Sequence, residues 1–303
     1  MADRWFLLAD VGASNCRFAI STAPRVLTLT RGYPTAATAT FEETLERFFK
    51  DAGLEAGDCA GAVLAAAGPV ADNAVTLTNA PWTLDGKAIR RRIGGAPVKI
   101  VNDLEAVALL LPYVEVRDSL PLWQPAGPPL HGGRIAVNVG TGFGAAAAVP
   151  AGEGWSIVAG EAGHMSLASP NGDCVEDLLS GAGVPKLYAA LGGSDTLGDG
   201  ALVFARAAVD PVAARVVKDL AEALGRVAGD LVLALGAWGG VWLCGSVALR
   251  LAEVADPLLI RSAFEAKGAM TDRMRRVPVN RLTLAEPALT GLSYAAASLN
   301  SAE

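Results

Sequence analysis

Histidine is almost missing from this chain, with His131 and His164 the two in 303 residues. That leaves little room for metal chemistry built on imidazole ligands. Cysteine is scarce too: Cys16, Cys59, Cys174 and Cys244 are scattered with no metal-ligand spacing, as expected of reduced thiols in a cytoplasmic protein. No apolar run reaches the roughly 18 uninterrupted residues that span a bilayer. The richest stretch, 219–247, is broken by Asp219, Glu222, Arg226 and Asp230. The chain enters "WFLLADVG" within four residues without a cleavage-type pattern, so no signal peptide is expected. Positive charge is outweighed, 25 Lys and Arg against 31 Asp and Glu, so no basic field exists to neutralise nucleic-acid phosphates. The one basic cluster, "IRRRIGG" at 89–95, reads as the solvated face of a short helix. Nucleic acid and membrane are therefore not expected partners. Neither a G-x-x-x-x-G-K-[ST] loop nor the dinucleotide-binding glycine spacing occurs.

What the chain has is length and apolar content enough for a large core, and its length suggests two domains. Residues 1–112 read as α/β. Strands are expected over 5–11, 15–21, 26–32, 61–68 and 74–79, and over "PVKIVND" (97–103). "TFEETLERFFKD" opens with a capping box, Thr40 to Glu43, and carries apolar residues at helical spacing. "DGKAIRRRIG" reads as a short helix, and "LEAVALLLP" as a buried one stopped by Pro112. Residues 115–133 lack periodicity and read as a boundary or rim loop. A strand–turn–strand over 134–150 follows, then a polar glycine-rich stretch (151–173) and helices at about 175–191, 200–209 and 211–236. The strand "GGVWLCG", further helix, a strand at 277–284 and a last helix at 290–299 complete the chain. The fold class is α/β, with a small domain over 1–112 completed by a C-terminal helix (289–303) and a large one over 113–288.

"LLADVGASNCRFAI" (7–20) aligns on "IAVNVGTGFGAAAA" (135–148), with Asp10 on Asn138 and Gly12 on Gly140. Two such hairpins, each opening a block of strands and helices, suggest two related lobes gripping a nucleotide. Tight turns of this kind line up backbone N–H groups as an anion nest, and glycine lets the ligand approach. Asp10, ending a buried strand, is costly to bury unless it meets donors or a cation, and a hydrated magnesium ion bridging phosphates would serve. Asn102 and Asp103 sit at the carboxyl end of a strand, the ligand-binding edge of α/β sheets, although Asp103 as a plain helix cap also explains them. "AGEAGHMSL" gathers Glu161 and His164, suited to hydrogen-bonding a polyhydroxy ligand. Glu176 opens a helix, where favourable dipole placement is the simpler reading. "TNAPW" (78–82) reads as a turn with a packed tryptophan.

Taken together and in order, these motifs resemble the bacterial glucokinase family, the hexokinase-related branch of the actin-like ATPase superfamily. "ADVGASNCR" is similar to its D-x-G-G-T-N-x-R motif, "AAAGPV" and "TNAPW" to its A-G-P-V and T-N-x-x-W, and "NDLEAVA" to its N-D-F-x-A. "GTGFG", "GEAGH" and "VEDLLSGAGVPKLY" resemble G-T-G-L-G, G-E-G-G-H and E-R-x-L-S-G-x-G-L-x-x-L-Y, and the stretch from "FEAKGAM" to "TGLSYAA" follows the family's C-terminal pattern. The zinc-binding repressor and sugar-kinase relatives are disfavoured, because their cysteine-rich motif is missing. The resemblance implies a two-lobed actin-like (RNase H-like) fold with the active site in a cleft between a small and a large α/β domain. It implies ATP-dependent phosphorylation of glucose or a related hexose, with Asp103 as general base and Asn102, Asp103, Glu161, His164 and Glu176 binding the sugar. Asp10, Gly12, Ala13, Ser14, Asn15, Gly140, Thr141, Gly142, Gly245 and Ser246 would hold ATP, Asp10 also serving Mg2+ through water. A homodimer is implied as well. Two departures fall on the nucleotide side: Ala13 replaces a glycine, straining the turn if it needs positive φ, and Ser246 replaces another beside the adenosine. They keep open a different sugar or donor such as polyphosphate, or a non-catalytic sugar sensor.

Overall fold

The computed structural model describes residues 4–77, 80–170, 172–194 and 198–299. Their contacts fall into two units, one formed by the described residues up to Leu111 with those from Ala285 on, the other by Pro112–Leu284.

The first unit is built on a five-stranded sheet. Its strands come from β1 (Trp5–Val11), β2 (Asn15–Ala23), β3 (Val26–Pro34), β4 (Cys59–Ala66) and, after a small hairpin of β5 (Ala74–Thr76) and β6 (Thr83–Asp85), β7 (Val98–Asn102). The order is β3-β2-β1-β4-β7. β1, β2 and β3 pair antiparallel, whereas β4 runs parallel to both β1 and β7. β1 is fully buried at every position but Asp10, which is half-buried, and this is why it reads as an apolar run ending in an acid.

The helix α1 (Phe41–Ala52) starts where Thr40 accepts a hydrogen bond from the Glu43 N–H at 3.2 Å. The Glu43 carboxylate reaches the Ala39 N–H at 3.0 Å, one residue before the Thr40 N–H that a closed capping box uses. Phe41, Leu45, Phe48 and Phe49 are buried, and Phe48 stacks on Phe18 of β2 with ring centroids 4.9 Å apart. Trp82 is buried beside Phe41 and donates to the Thr38 carbonyl at 3.2 Å, while Thr78 and Asn79 of the same motif lie outside the described residues. After α2 (Gly86–Arg92), α3 (Asp103–Leu110) leaves β7 and packs against the C-terminal helix (Pro287–Leu299). That packing is close at one point: a Cβ on Gly291 would overlap the Ala106 carbonyl oxygen.

The second unit carries a six-stranded sheet from β8 (Ser119–Trp123), β9 (Arg134–Val139), β10 (Phe143–Ala151), β11 (Gly154–Gly160), β14 (Gly240–Cys244) and β15 (Val279–Leu282), with a hairpin of β12 (Ser166–Ser169) and β13 (Gly172–Cys174) beside it. The order is β11-β10-β9-β14-β15-β8. Its helices are α4 (Val175–Leu178), α5 (Gly183–Ala190), α6 (Gly200–Arg206), α7 (Pro211–Leu235), α8 (Ser246–Val254), α9 (Pro257–Glu265) and α10 (Thr271–Met274). α7 starts at Asp210, whose carboxylate accepts from two backbone N–H groups, and ends at Gly236 in the left-handed region. Among the described residues no helix is long and apolar enough to cross a membrane.

Two expectations are corrected, and a stretch assigned no element gains a strand. Residues 115–133 are not all loop: β8 lies within them, and Pro121 is accommodated because the strand is at the sheet edge. The stretch 151–173 contains β11, an edge strand exposed along nearly its whole length and so without the alternation that reveals a strand. The helix expected over 175–191 is two helices, because the Gly181 N–H turns away to the Gly140 carbonyl at 2.7 Å.

The echo between the two hairpins extends to topology. Each sheet lays three antiparallel strands beside two parallel ones, β3-β2-β1-β4-β7 matching β11-β10-β9-β14-β15, and the second unit adds β8. Gly291→Ala should lower the stability of the first unit by about 2 kcal/mol, since backbone must move to admit the methyl. Thermal unfolding of the variant checks this, and an unchanged midpoint would show that the two helices are not locked there.

Candidate active site

In the first unit the chemistry gathers at the carboxyl ends of three parallel strands. Asp10 on β1 pairs in register with Ala65 of β4, and Ala65 with Val101 of β7, so Asp10 is level with the residue before Asn102. Asn102 caps α3: its Oδ1 accepts from the Leu104 N–H at 2.9 Å and its Nδ2 donates to the Gly68 carbonyl at 3.3 Å. The cap is thus Asn102 and not Asp103, the first helical residue, whose Oδ1 accepts from the same N–H at 2.9 Å. Between β1 and β2 the Gly12 N–H donates to the Asn15 carbonyl at 2.9 Å. Thr35 clamps this turn, its hydroxyl donating to the Gly12 carbonyl at 2.9 Å and its N–H to the Ser14 carbonyl at 3.0 Å. Ser14 and Asn15 are exposed. Ala13 is not among the residues with positive φ, so no left-handed strain arises there.

Asp10 is electrostatically unusual. Its burial, then the Asp103 carboxylate, push its pKa up from 3.8 to about 6, with Glu286 adding to the rise and Arg17 opposing it. Arg17, opposite Asp10 on β2, stands 3.8 Å from the Asp10 carboxylate and 3.8 Å from that of Glu286. Two acids on different elements therefore sense each other across this edge.

The second unit assembles its own set. The turn after β9 is closed by a Gly140 N–H to Gly142 carbonyl bond of 2.9 Å, and Thr141 is exposed. β14 runs parallel to β9 with Cys244 opposite Asn138, which brings Gly245 beside this turn. Gly245 has φ +85°, and a Cβ there would strike the Val139 carbonyl and the Asn138 side chain. Ser246, the first residue of α8, is exposed. Glu161 and His164 are exposed on one turn, linked by a His164 N–H to Glu161 carbonyl bond of 3.0 Å. Glu176 is half-buried, and its Oε2 accepts from the Phe143 N–H at 2.7 Å, a contact more specific than dipole placement.

All the expected site residues lie in one unit or the other, Asp10–Asn15 with Asn102–Asp103 in the first and the rest in the second. Sequence reasoning missed Thr35, Glu286 and Asp177. Asp177 accepts from the Asp173 and Cys174 N–H groups and from the Cys174 thiol, each at 3.1 Å. An acid three residues after a helix cap carries a local signal that identifies Asp177; the partnerships of Thr35 and Glu286 span long sequence distances and have none.

The Glucokinase family profile matches residues 7–173 and 174–299. The glucokinase of Chromobacterium violaceum is 34% identical over 314 residues, covering 95% of this chain and 88% of that protein. The bifunctional protein glk of Burkholderia orbicola is 33% identical over 316 residues, covering 96% of this chain and 48% of that protein, so the chain spans about half the length of the first curated relatives it matches. Among solved structures, the crystal structure of a glucokinase from an Antarctic psychrotroph superposes with a TM-score of 0.83 at 26% identity, covering 99% of both chains.

The Asp10 carboxyl gives a pH signature. Folded, it keeps its proton up to about pH 6, whereas the unfolded chain releases it near pH 4. Its contribution to stability is thus complete below pH 4 and lost as pH rises through about 6. Without divalent cations, Asp10→Asn should match the parent near pH 4 and be more stable by about 2 kcal/mol at pH 8. Urea unfolding at both pH values checks it, and an equal difference at the two would sink the assignment.

Proposed function

The chain belongs to the glucokinase family, and from that premise we propose that it transfers the γ-phosphoryl group of ATP to the 6-hydroxyl of glucose. The observation that carries this reading is the meeting of Asp10 and Asn102–Asp103 at the carboxyl edge of one sheet, with the carboxylates in electrostatic contact. One acid at that edge suits a base and the other a cation.

In this reading Asp103 takes the proton of the 6-hydroxyl as its oxygen attacks the γ-phosphorus and the bond to the β-phosphate oxygen breaks. Position one of α3 fixes the aspartate backbone, and the Leu104 N–H holds one carboxylate oxygen. Asn102 cements the strand-to-helix corner by bonding both Leu104 and Gly68. Asn102, Glu161, His164 and Glu176 hold the sugar's hydroxyls. The turn at Gly12–Asn15 in the first unit and that at Gly140–Gly142 in the second would each offer backbone N–H groups to phosphate, and Gly245 and Ser246 would serve the adenosine end. Excluding water from the transferred group makes the sugar the acceptor.

Magnesium fits the first unit's donors. Asp10 is a hard oxygen ligand whose charge is disfavoured by burial and by Asp103, a cost that a cation offsets. In this reading the ion would be held by Asp10 through water and by the phosphates. Such an ion supplies neutralisation of charge on the phosphates during transfer. The setting that goes with this reading is the cytoplasm, with a homodimer as its assembly.

Purified protein with Mg·ATP and glucose should form glucose 6-phosphate in a coupled assay. Asp103→Asn should lower kcat by roughly 100- to 10,000-fold while glucose affinity stays within about threefold. Near-normal turnover in that variant would remove Asp103 from the base role. A wild-type chain that binds glucose without turning it over would replace the enzyme with a sugar sensor.

A further inference from the structure

We propose that Glu176 is a positioning residue for the phosphate-side turn at 140–143, in addition to holding sugar. The inference rests on the functional reading above and deepens it by joining the two ends of the site through one side chain.

The geometry is specific. Glu176 Oε2 accepts from the Phe143 N–H at 2.7 Å, and a Cβ on Gly142 would overlap that same oxygen. The carboxylate therefore presents this one oxygen to the turn's backbone, with the other farther off. On the other side of Phe143, a Cβ on Gly163 would come within 2.7 Å of the Phe143 carbonyl and 3.4 Å of Glu176 Oε2. The "GEAGH" turn, the "GTGFG" turn and Glu176 thus meet around one residue, Phe143, through its N–H on one side and its carbonyl on the other. The segment that carries Glu176 grips the phosphate-side turn a second time, through the Gly181 N–H to the Gly140 carbonyl at 2.7 Å. It is itself held rigidly, because Asp177 ties Asp173 and Cys174 together at its start and the Leu179 N–H closes on the Val175 carbonyl at 2.8 Å.

A carboxylate against a turn that receives phosphates opposes them by charge. Its service there is geometric: it takes up the Phe143 N–H and fixes the conformation in which the remaining N–H groups face the ligand. Charge and hydrogen bonding are separable by substitution. Glu176→Gln keeps an acceptor for Phe143 and removes the charge, whereas Glu176→Ala removes both. Gly142→Ala acts from the opposite side and displaces the carboxylate without touching Glu176.

The test has two readouts. In the ligand-free protein, amide hydrogen exchange at Phe143 should speed up at least tenfold in Glu176→Ala and Gly142→Ala, and stay within threefold of wild type in Glu176→Gln. By calorimetry with a non-hydrolysable ATP analogue and Mg2+ but no sugar, Glu176→Ala should bind at least tenfold more weakly, and Glu176→Gln as tightly as wild type or tighter. Gly142→Ala should in turn weaken glucose binding at least fivefold in the absence of nucleotide. Unchanged exchange at Phe143 in a folded Glu176→Ala or Gly142→Ala chain overturns the proposal and leaves Glu176 a sugar ligand alone. The exchange measurement needs no ligand, so it decides the point even if wild type binds no nucleotide, a result that would instead defeat the functional reading. Should Glu176→Ala not fold, Gly142→Ala and Glu176→Gln decide it.

Discussion

A sheet whose inner strands are apolar almost throughout holds two acids at one edge, Asp10 at the end of β1 and Asp103 just past β7. Their mutual repulsion, added to the desolvation of Asp10, is a standing cost to the folded first unit. Only elements with little freedom can sustain it. β4 lies between them, buried along its full length and hydrogen-bonded to both partners, so the separation of β1 from β7 is set by strand pairing. The direction of Asp103 is set by α3, whose start is capped by Asn102 and whose flank is pressed against Gly291. Arg17 offsets part of the cost, shared as it is between Asp10 and Glu286 at 3.8 Å from each. The scaffold around this edge keeps the two acids from moving apart to relieve that cost.

The same balance of burial and polarity decides which elements are legible in the amino-acid sequence. β1, β7 and α3 are legible because burial writes itself into the chain as apolar runs, and the polar residues that end those runs stand out against them. The paired hairpins are legible because both need small residues at one spacing. Elements whose sequence answers to solvent carry no such mark: β11 has both faces exposed, and β8 hides behind Pro121. Within the site, local partners such as Asn102 with Leu104 follow from helix capping. Thr35 with Gly12, Arg17 with Glu286 and Glu176 with Phe143 depend on the tertiary fold, and no periodicity encodes them.

The two sheets share a strand plan yet divide the chemistry. At the end of the first hairpin's leading strand stands Asp10, and at the matching place in the second stands Asn138. A neutral amide there carries no charge, and Gly245 approaches it because it has no Cβ to strike Asn138 and the Val139 carbonyl. In the second unit a carboxylate meets backbone instead, Glu176 at the Phe143 N–H. One topology thus yields a charged edge in one copy and a glycine-lined edge in the other.

That division bears on the two residues that depart from the family pattern. Ala13 sits in the charged copy's turn, where a left-handed conformation would have made its methyl costly. Its backbone is not in that region, and Thr35 clamps the turn through the carbonyls of Gly12 and Ser14, not through residue 13. The hydrogen bonds that shape the loop are therefore indifferent to the side chain at that position. Ser246 follows Gly245 at the first position of α8, where a side chain projects from the helix and the strict need for glycine has already been met one residue earlier. Both changes are placed where the backbone does not depend on them, so their effect is confined to what their own few atoms touch. The hydrogen bonds that hold Asn102 and Asp103 at their edge involve neither position.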